Sequence, residues 1–267
     1  MFTVKKSNGV LNCKNCGGFQ SRNPSTIWCI QQADAKYNWN DFSEFQVHTW
    51  DYEKNPNEYT YSKQNSVHNV VPDFNFHAWP EVGIEDYEKT VESIIESGSH
   101  PYELLKVGWI GARTHENRNR MLAIGEQNPH MFDFFDMNWI PSGHVFHNST
   151  KYISLSDLVK KYAILIDIEG NGYSGRLKYL LWSHRPLLLV DRSHKEYFYE
   201  HLIPWTHYVP VRQDMSDLVE KTQWILDNYD AACTIAANAR EFSKTHLTRD
   251  ACYAQWNKII TGHASSL

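Results

Sequence analysis

Residues 163–191 read AILIDIEGNGYSGRLKYLLWSHRPLLLVD. An apolar run leads into a Gly-x-Gly-x-x-Gly turn at Gly170, Gly172 and Gly175, then an amphipathic stretch, then a second apolar run closed by Asp191. This is the pattern of a βαβ unit that holds a phosphate. A glycine turn at the carboxyl end of a buried strand lets backbone N–H groups approach an anion closely. The helix expected after it aims its positive N-terminal dipole at the same point.

On either side of this unit strands and helices alternate, which predicts an α/β fold with parallel sheets covered on both faces. Upstream, LKVGWIG reads as a strand, ARTHEN as a loop and RNRMLAIGEQ as a helix ended by Asn128-Pro129. Aromatic FDFFDMNW and a polar hinge through Ser149 follow, then a helix from Ser154 to Tyr162 with Ser154 or Ser156 as its cap. Earlier still, Ile84, Tyr87, Val91, Ile94 and Ile95 share one helical face that stops at Gly98. EFQVHTW alternates like a strand and runs into Asp51, YTYS and VHNVV are shorter strand-like pieces, and residues 1–43 read as an irregular polar cap over a sheet edge. Downstream, THYVPV is a further strand, followed by two or three helices. The boundaries expected are a first α/β domain over 1–103, a second over 104–245, and a C-terminal helix over 246–267 that packs back on the first domain.

Net charge is −5 and the basic residues are scattered, so a nucleic-acid partner is not expected. The N-terminus has no apolar signal core and no apolar run approaches the ~18 residues a membrane helix needs, so a soluble cytoplasmic protein without membrane insertion is expected. Five cysteines, an odd number, fit reduced thiols better than a disulfide framework. Cys13 and Cys16 have zinc-knuckle spacing and Cys29 could be a third ligand, but no fourth ligand or second pair completes a site, and no metal is expected.

Two ligands compete for the glycine turn. With Asp191 ending the next strand it satisfies most of a dinucleotide fingerprint, which would make the chain an NADP-dependent oxidoreductase with Arg192 on the 2′-phosphate. Three details oppose this. A complete strand–helix series precedes the turn; Arg176 follows its third glycine, where a guanidinium can clamp a diphosphate; and a second basic loop, Gly111-Ala112-Arg113-Thr114 with Arg118, occupies a matching strand-to-helix position. Arginines on neighbouring loops of one parallel sheet converge on one anion.

These residues carry a resemblance. Trp109-Ile110-Gly111-Ala112-Arg113-Thr114 with Arg118, Glu169-Gly170-Asn171-Gly172-Tyr173-Ser174-Gly175-Arg176, and Pro204-Trp205-Thr206-His207-Tyr208-Val209-Pro210-Val211 are similar to motifs of glycosyltransferase family 90. That family includes protein O-glucosyltransferases, xylosyltransferases and capsule enzymes. The likeness is strongest over residues 105–220 and continues upstream through Tyr59–Lys63 and Val71–Phe74. It implies two Rossmann-like domains facing a cleft, a GT-B-type architecture, and inverting, metal-independent transfer of xylose, slightly favoured, or glucose from a UDP-sugar to a glycan hydroxyl.

In the resemblance, Arg176 matches the diphosphate-binding arginine, Arg118 a second donor-site arginine and Ser174 a serine that can meet the phosphate. Ala112 and Glu169 depart from the animal enzymes, which have serine and arginine there. The donor site is then Gly111 to Thr114, Arg118 and Glu169 to Arg176. An inverting transfer needs a carboxylate from the opposite domain to take the acceptor's proton. Asp51 resembles the family's base, Asp73 is the rival, and Trp50, His77 and Trp79 could form an acceptor platform. A non-catalytic nucleotide- or sugar-binding module remains the third reading.

Overall fold

The structure, a computed structural model, describes residues 1–17, 21–55, 57–137 and 153–265. Strands β1 (Phe2–Ser7) and β2 (Val10–Asn15) form a hairpin closed by Asn8-Gly9, both at positive φ. That two-residue turn suits the twist of an antiparallel pair. Helix α1 (Arg22–Tyr37), β3 (Phe42–His48), β4 (Tyr59–Thr60), β5 (Lys63–Gln64) and α2 (Tyr87–Ser99) complete the N-terminal lobe. Its sheet has the order β2-β1-β3-β4.

Two expectations are corrected here. The described residues of 1–43 form a hairpin, a helix and the start of β3 rather than an irregular cap. The sheet they build is not parallel: β1 pairs antiparallel with both β2 and β3, and only β3–β4 is parallel. A two-residue connection cannot supply the crossover that parallel neighbours need.

The C-terminal lobe comprises β6 (Leu104–Gly111), α3 (Glu116–Gln127), β7 (Phe132–Asp136), α4 (Leu155–Lys161), β8 (Tyr162–Asp167), α5 (Leu177–Leu180), β9 (Leu187–Val190), β10 (His194–Lys195), β11 (Val209–Val211), α6 (Leu218–Asp227), α7 (Tyr229–His246) and α8 (Arg249–Ser265). Its sheet runs β11-β9-β8-β6-β7 with every pairing parallel. β8 and β9 are buried at every position, as a parallel sheet covered on both faces requires. Ser154 caps α4 by accepting from the Asp157 N–H at 3.1 Å. The polar hinge through Ser149 lies outside the described residues.

Alternate residues of β8 and β9 enter two different cores. Ile164, Ile166, Leu188 and Val190 join Met121, Leu218 and Ile225 on one face. Leu165, Leu187 and Leu189 join a cluster continuous with Phe2, Val47, Phe74 and Tyr87 of the N-terminal lobe. The two lobes therefore share a core. Helix α8 adds to it by burying Cys252 and Trp256, and it is pinned to α1 and the turn after it by Lys36–Asp250 at 2.7 Å and by Trp39 Nε1 donating to Asn257 at 2.8 Å. Among the described residues no helix is long and apolar enough to cross a membrane.

Candidate functional site

A cleft of about 760 Å³ opens over the carboxyl ends of β6 and β8, where the N-terminal lobe meets the glycine turn. The two basic loops converge in it. Gly111, Ala112, Thr114 and Arg118 line it from the first loop, and Gly170, Asn171, Tyr173, Ser174, Gly175 and Arg176 from the second. Arg113 does not: it turns outward to Asp136 at 2.5 Å. Glu169 also stays out of the lining, its carboxylate accepting from Asn117 Nδ2 at 2.9 Å.

The arginines divide their tasks. Arg118 donates to the carbonyls of Glu169 at 2.8 Å and Ala112 at 2.7 Å, tying the two loops together. Arg176 is half-buried, and its Nη1, which is buried, has no hydrogen-bond partner among the described residues. Both guanidinium groups lie 5.5 Å from the centre of the Trp109 ring. Burial pushes the pKa of Arg176 below its ordinary value, Arg192 adds to the shift, and Asp167 opposes it. Burial likewise lowers Arg118, with Arg176 beside it. An unpaired buried cation is costly in water-excluded surroundings and is relieved by an anion.

Arg192 is not available for that task. It is fully buried and paired with Asp167 at 2.7 Å, while Asp191 sits at the surface with Lys195. Ser174 donates its hydroxyl proton to Asp167 at 2.7 Å. The expected helix dipole is a further correction: α5 is a single turn of four residues, so side-chain cations supply the positive charge here.

The glycines serve a different neighbour from the one expected. A Cβ at Gly172 would lie 2.2 Å from the carbonyl oxygen of Asp51, and one at Gly175 2.6 Å from Asn75 Nδ2. Their missing side chains let the N-terminal lobe rest directly on the turn. Gly172 itself does not line the cleft.

Asp51 lines the cleft and its Oδ1 accepts from Arg22 Nη1 at 2.7 Å. Asp73 does not line it. Asp73 is buried, caps the 3-10 turn at Phe74–Phe76, and receives Lys178 Nζ at 3.0 Å. Lys178 meets Glu196 at the same distance. Trp79 lines the cleft edge-on to Phe74. His77 instead stacks on Trp28 and bonds to Ser25, and Trp50 is exposed beside Lys54. Arg22, Asn75 and Lys178 were not found from sequence, because each belongs to a site only through a partner distant in the chain. Cys29 is buried against Cys252 of α8, and the described residues contain no group of three or more His, Cys, Asp or Glu set to hold a metal ion.

The sequence model of Glycosyl transferase family 90 matches residues 20–267. Over 159 residues the chain is 31% identical to Protein O-glucosyltransferase 2 of Danio rerio, covering 58% of this chain and 32% of that one. Over 224 residues it is 27% identical to Protein O-glucosyltransferase 1 of Rattus norvegicus, covering 78% and 57%. It thus spans between a third and just over half the length of these relatives. Among solved structures, that of TarM matches with a TM-score of 0.44 and 11% identity over 60% of this chain and 36% of that one.

Proposed function

This chain belongs to glycosyltransferase family 90, and from that membership we propose that it moves a sugar from a UDP-sugar to a hydroxyl of a glycan, inverting the anomeric carbon without a metal ion. The observation that carries this reading is Arg176, a half-buried cation that lines the same cleft as Asp51 and whose Nη1 has no hydrogen-bond partner among the described residues. The donor diphosphate would lie against Arg176 and the loop pair that Arg118 ties together. These cations would stabilise the charge that develops on the leaving UDP. Asp51, from the opposite lobe, would accept the proton of the attacking hydroxyl.

Asp73 is the weaker candidate for the base, since its carboxylate is engaged by Lys178 and Asn75 away from the cleft. The oxidoreductase reading loses support for a similar reason: Arg192 is bound to Asp167. UDP-xylose, favoured by the sequence reading, stands beside UDP-glucose, which the names of the relatives favour. The five free cysteines fit a reducing, cytosolic compartment.

The test measures UDP release from UDP-glucose and UDP-xylose by wild type and Asp51→Asn, with UDP binding by calorimetry in parallel. The variant is expected to lose at least ~100-fold in turnover, the usual scale for a general base, at unchanged UDP affinity. Wild-type turnover in Asp51→Asn would remove Asp51 from the role. UDP binding by wild type without turnover of either donor would favour the non-catalytic module.

A further inference from the structure

We propose that Arg22 is a positioning residue that sets the orientation of the Asp51 carboxylate; this rests on the reading of Asp51 as the base. Arg22 stands in the first turn of α1, and its side chain lines the cleft. Its Nη1 donates both to Asp51 Oδ1 at 2.7 Å and to the Thr49 carbonyl at 3.1 Å. One nitrogen thereby fixes the carboxylate relative to the backbone two residues before it. The guanidinium itself lies 5.1 Å from the centre of the Phe74 ring.

The main chain of Asp51 is fixed from the other side. Its carbonyl accepts from Ser62 Oγ at 2.6 Å and abuts the backbone of Gly172. The remaining freedom of the residue is rotation of the carboxylate, which Arg22 removes. Oδ1 is occupied by the guanidinium. Oδ2 has no hydrogen-bond partner among the described residues, and Asp51 faces the cleft. A base held by one oxygen presents the other in a defined direction, and such orientation contributes strongly to rate because displacement by about 1 Å can cost ~100-fold. The ion pair is four-fifths withdrawn from solvent, with side-chain exposures of 16% and 22%, so water competes weakly for the carboxylate.

Arg22 donates to Thr49 and Asp51 of the N-terminal lobe, whereas Arg118 and Arg176 belong to the two basic loops on the other side of the cleft. Its removal is therefore expected to act on kcat and not on donor binding. The test compares Arg22→Ala, Arg22→Lys and Asp51→Asn for UDP release from UDP-glucose and UDP-xylose, with calorimetric UDP binding and circular dichroism as a check on folding. Arg22→Ala should lower kcat by roughly 30- to 100-fold, with donor KM and UDP Kd within about twofold of wild type. Methylguanidinium added to Arg22→Ala should restore part of kcat. Arg22→Lys should fall between the two, since an ammonium reaches Oδ1 but lacks the planar fork.

Wild-type kcat in Arg22→Ala or Arg22→Lys, alongside an inactive Asp51→Asn, overturns the positioning role and leaves Asp51 as the base. A rise in donor KM and UDP Kd that accounts for the loss in Arg22→Ala also overturns it, because Arg22 would then touch the donor. An active Asp51→Asn, or no turnover by wild type, is instead a failure of the reading on which the proposal rests.

Discussion

Replacing Arg176 by methionine should make the ligand-free protein more stable and the UDP-bound protein less stable than wild type. Arg176 is half-buried with Nη1 unpartnered among the described residues, and the charges near it are Asp167, already paired with Arg192, Arg192 itself, and Arg118 over the same Trp109 ring. Methionine keeps the length and removes the charge. Exchanging a whole buried ion pair for apolar groups of similar volume stabilises by up to ~1–4 kcal/mol, an upper bound for one half-buried cation. Loss of the attraction to Asp167 reduces this to about 1 kcal/mol, a rise in Tm of roughly 2–4 °C. On the binding side, two charge-assisted hydrogen bonds to phosphate at ~1.5–3 kcal/mol each, less the relief of the buried charge, give a loss of about 2–4 kcal/mol. That is ~30- to 1,000-fold in UDP affinity. At UDP 100-fold above the wild-type Kd, the ligand stabilises wild type by ~2.7 kcal/mol, while a variant weakened 100-fold gains only about 0.4 kcal/mol. The two melting temperatures therefore cross as UDP is added. Calorimetry gives Kd and thermal denaturation with and without UDP gives the crossing. A ligand-free Tm below wild type, or an unchanged Kd, would refute the role assigned to Arg176.

Gly172→Ala puts a methyl 2.2 Å from the Asp51 carbonyl; overpacking of this kind costs ~1–3 kcal/mol, and the displaced Asp51 should lose up to ~100-fold in kcat at near-normal UDP affinity. Gly98→Ala meets the Ser183 carbonyl at 1.9 Å, and should lower Tm while leaving turnover per folded molecule unchanged. Lys178→Met strands two carboxylates, Asp73 and Glu196, in the core, and should cost about 3–5 kcal/mol in denaturant unfolding. Asp73→Asn leaves the balanced Lys178–Glu196 pair, so small changes in both stability and UDP release are expected; abolished turnover in a folded Asp73→Asn would make Asp73 the base. Burial and the nearby Asp73 push Glu196 up to about 8 against the pull of Lys178. The folded chain then holds a proton that the unfolded chain releases above its ordinary value of 4.5, so this group makes stability fall as pH rises from 4.5 to 8. Glu196→Gln should flatten that fall, which Tm measured across the interval reports.

The C-terminal sheet was readable because β8 and β9 bury every residue and so appear in sequence as unbroken apolar runs. The N-terminal lobe was less so. The buried face of α1 includes Asn23, Ser25 and Thr26 beside Cys29, Ile30 and Ala33, and a half-polar stripe leaves no apolar periodicity to detect. Its polar residues are buried because they have partners far along the chain: Asn23 accepts from Thr49, and Thr26 meets Tyr61. The same blindness hid Arg22, whose meaning depends on Asp51.

At the glycine turn the sequence conveyed one kind of fact and not another. Gly-x-Gly-x-x-Gly announces that something must approach the backbone closely, because omitting a Cβ carries an entropic cost on folding that is offset where there is no room for one. It does not say what approaches. At Gly172 and Gly175 the close neighbours are Asp51 and Asn75 of the other lobe, while the unpartnered cationic nitrogen beside the turn belongs to Arg176, a side chain. The turn is thus a seat for the lobe that carries the carboxylate as well as part of the cleft's lining. A glycine pattern read only for its ligand locates the cleft correctly and omits the contact that brings Asp51 to it.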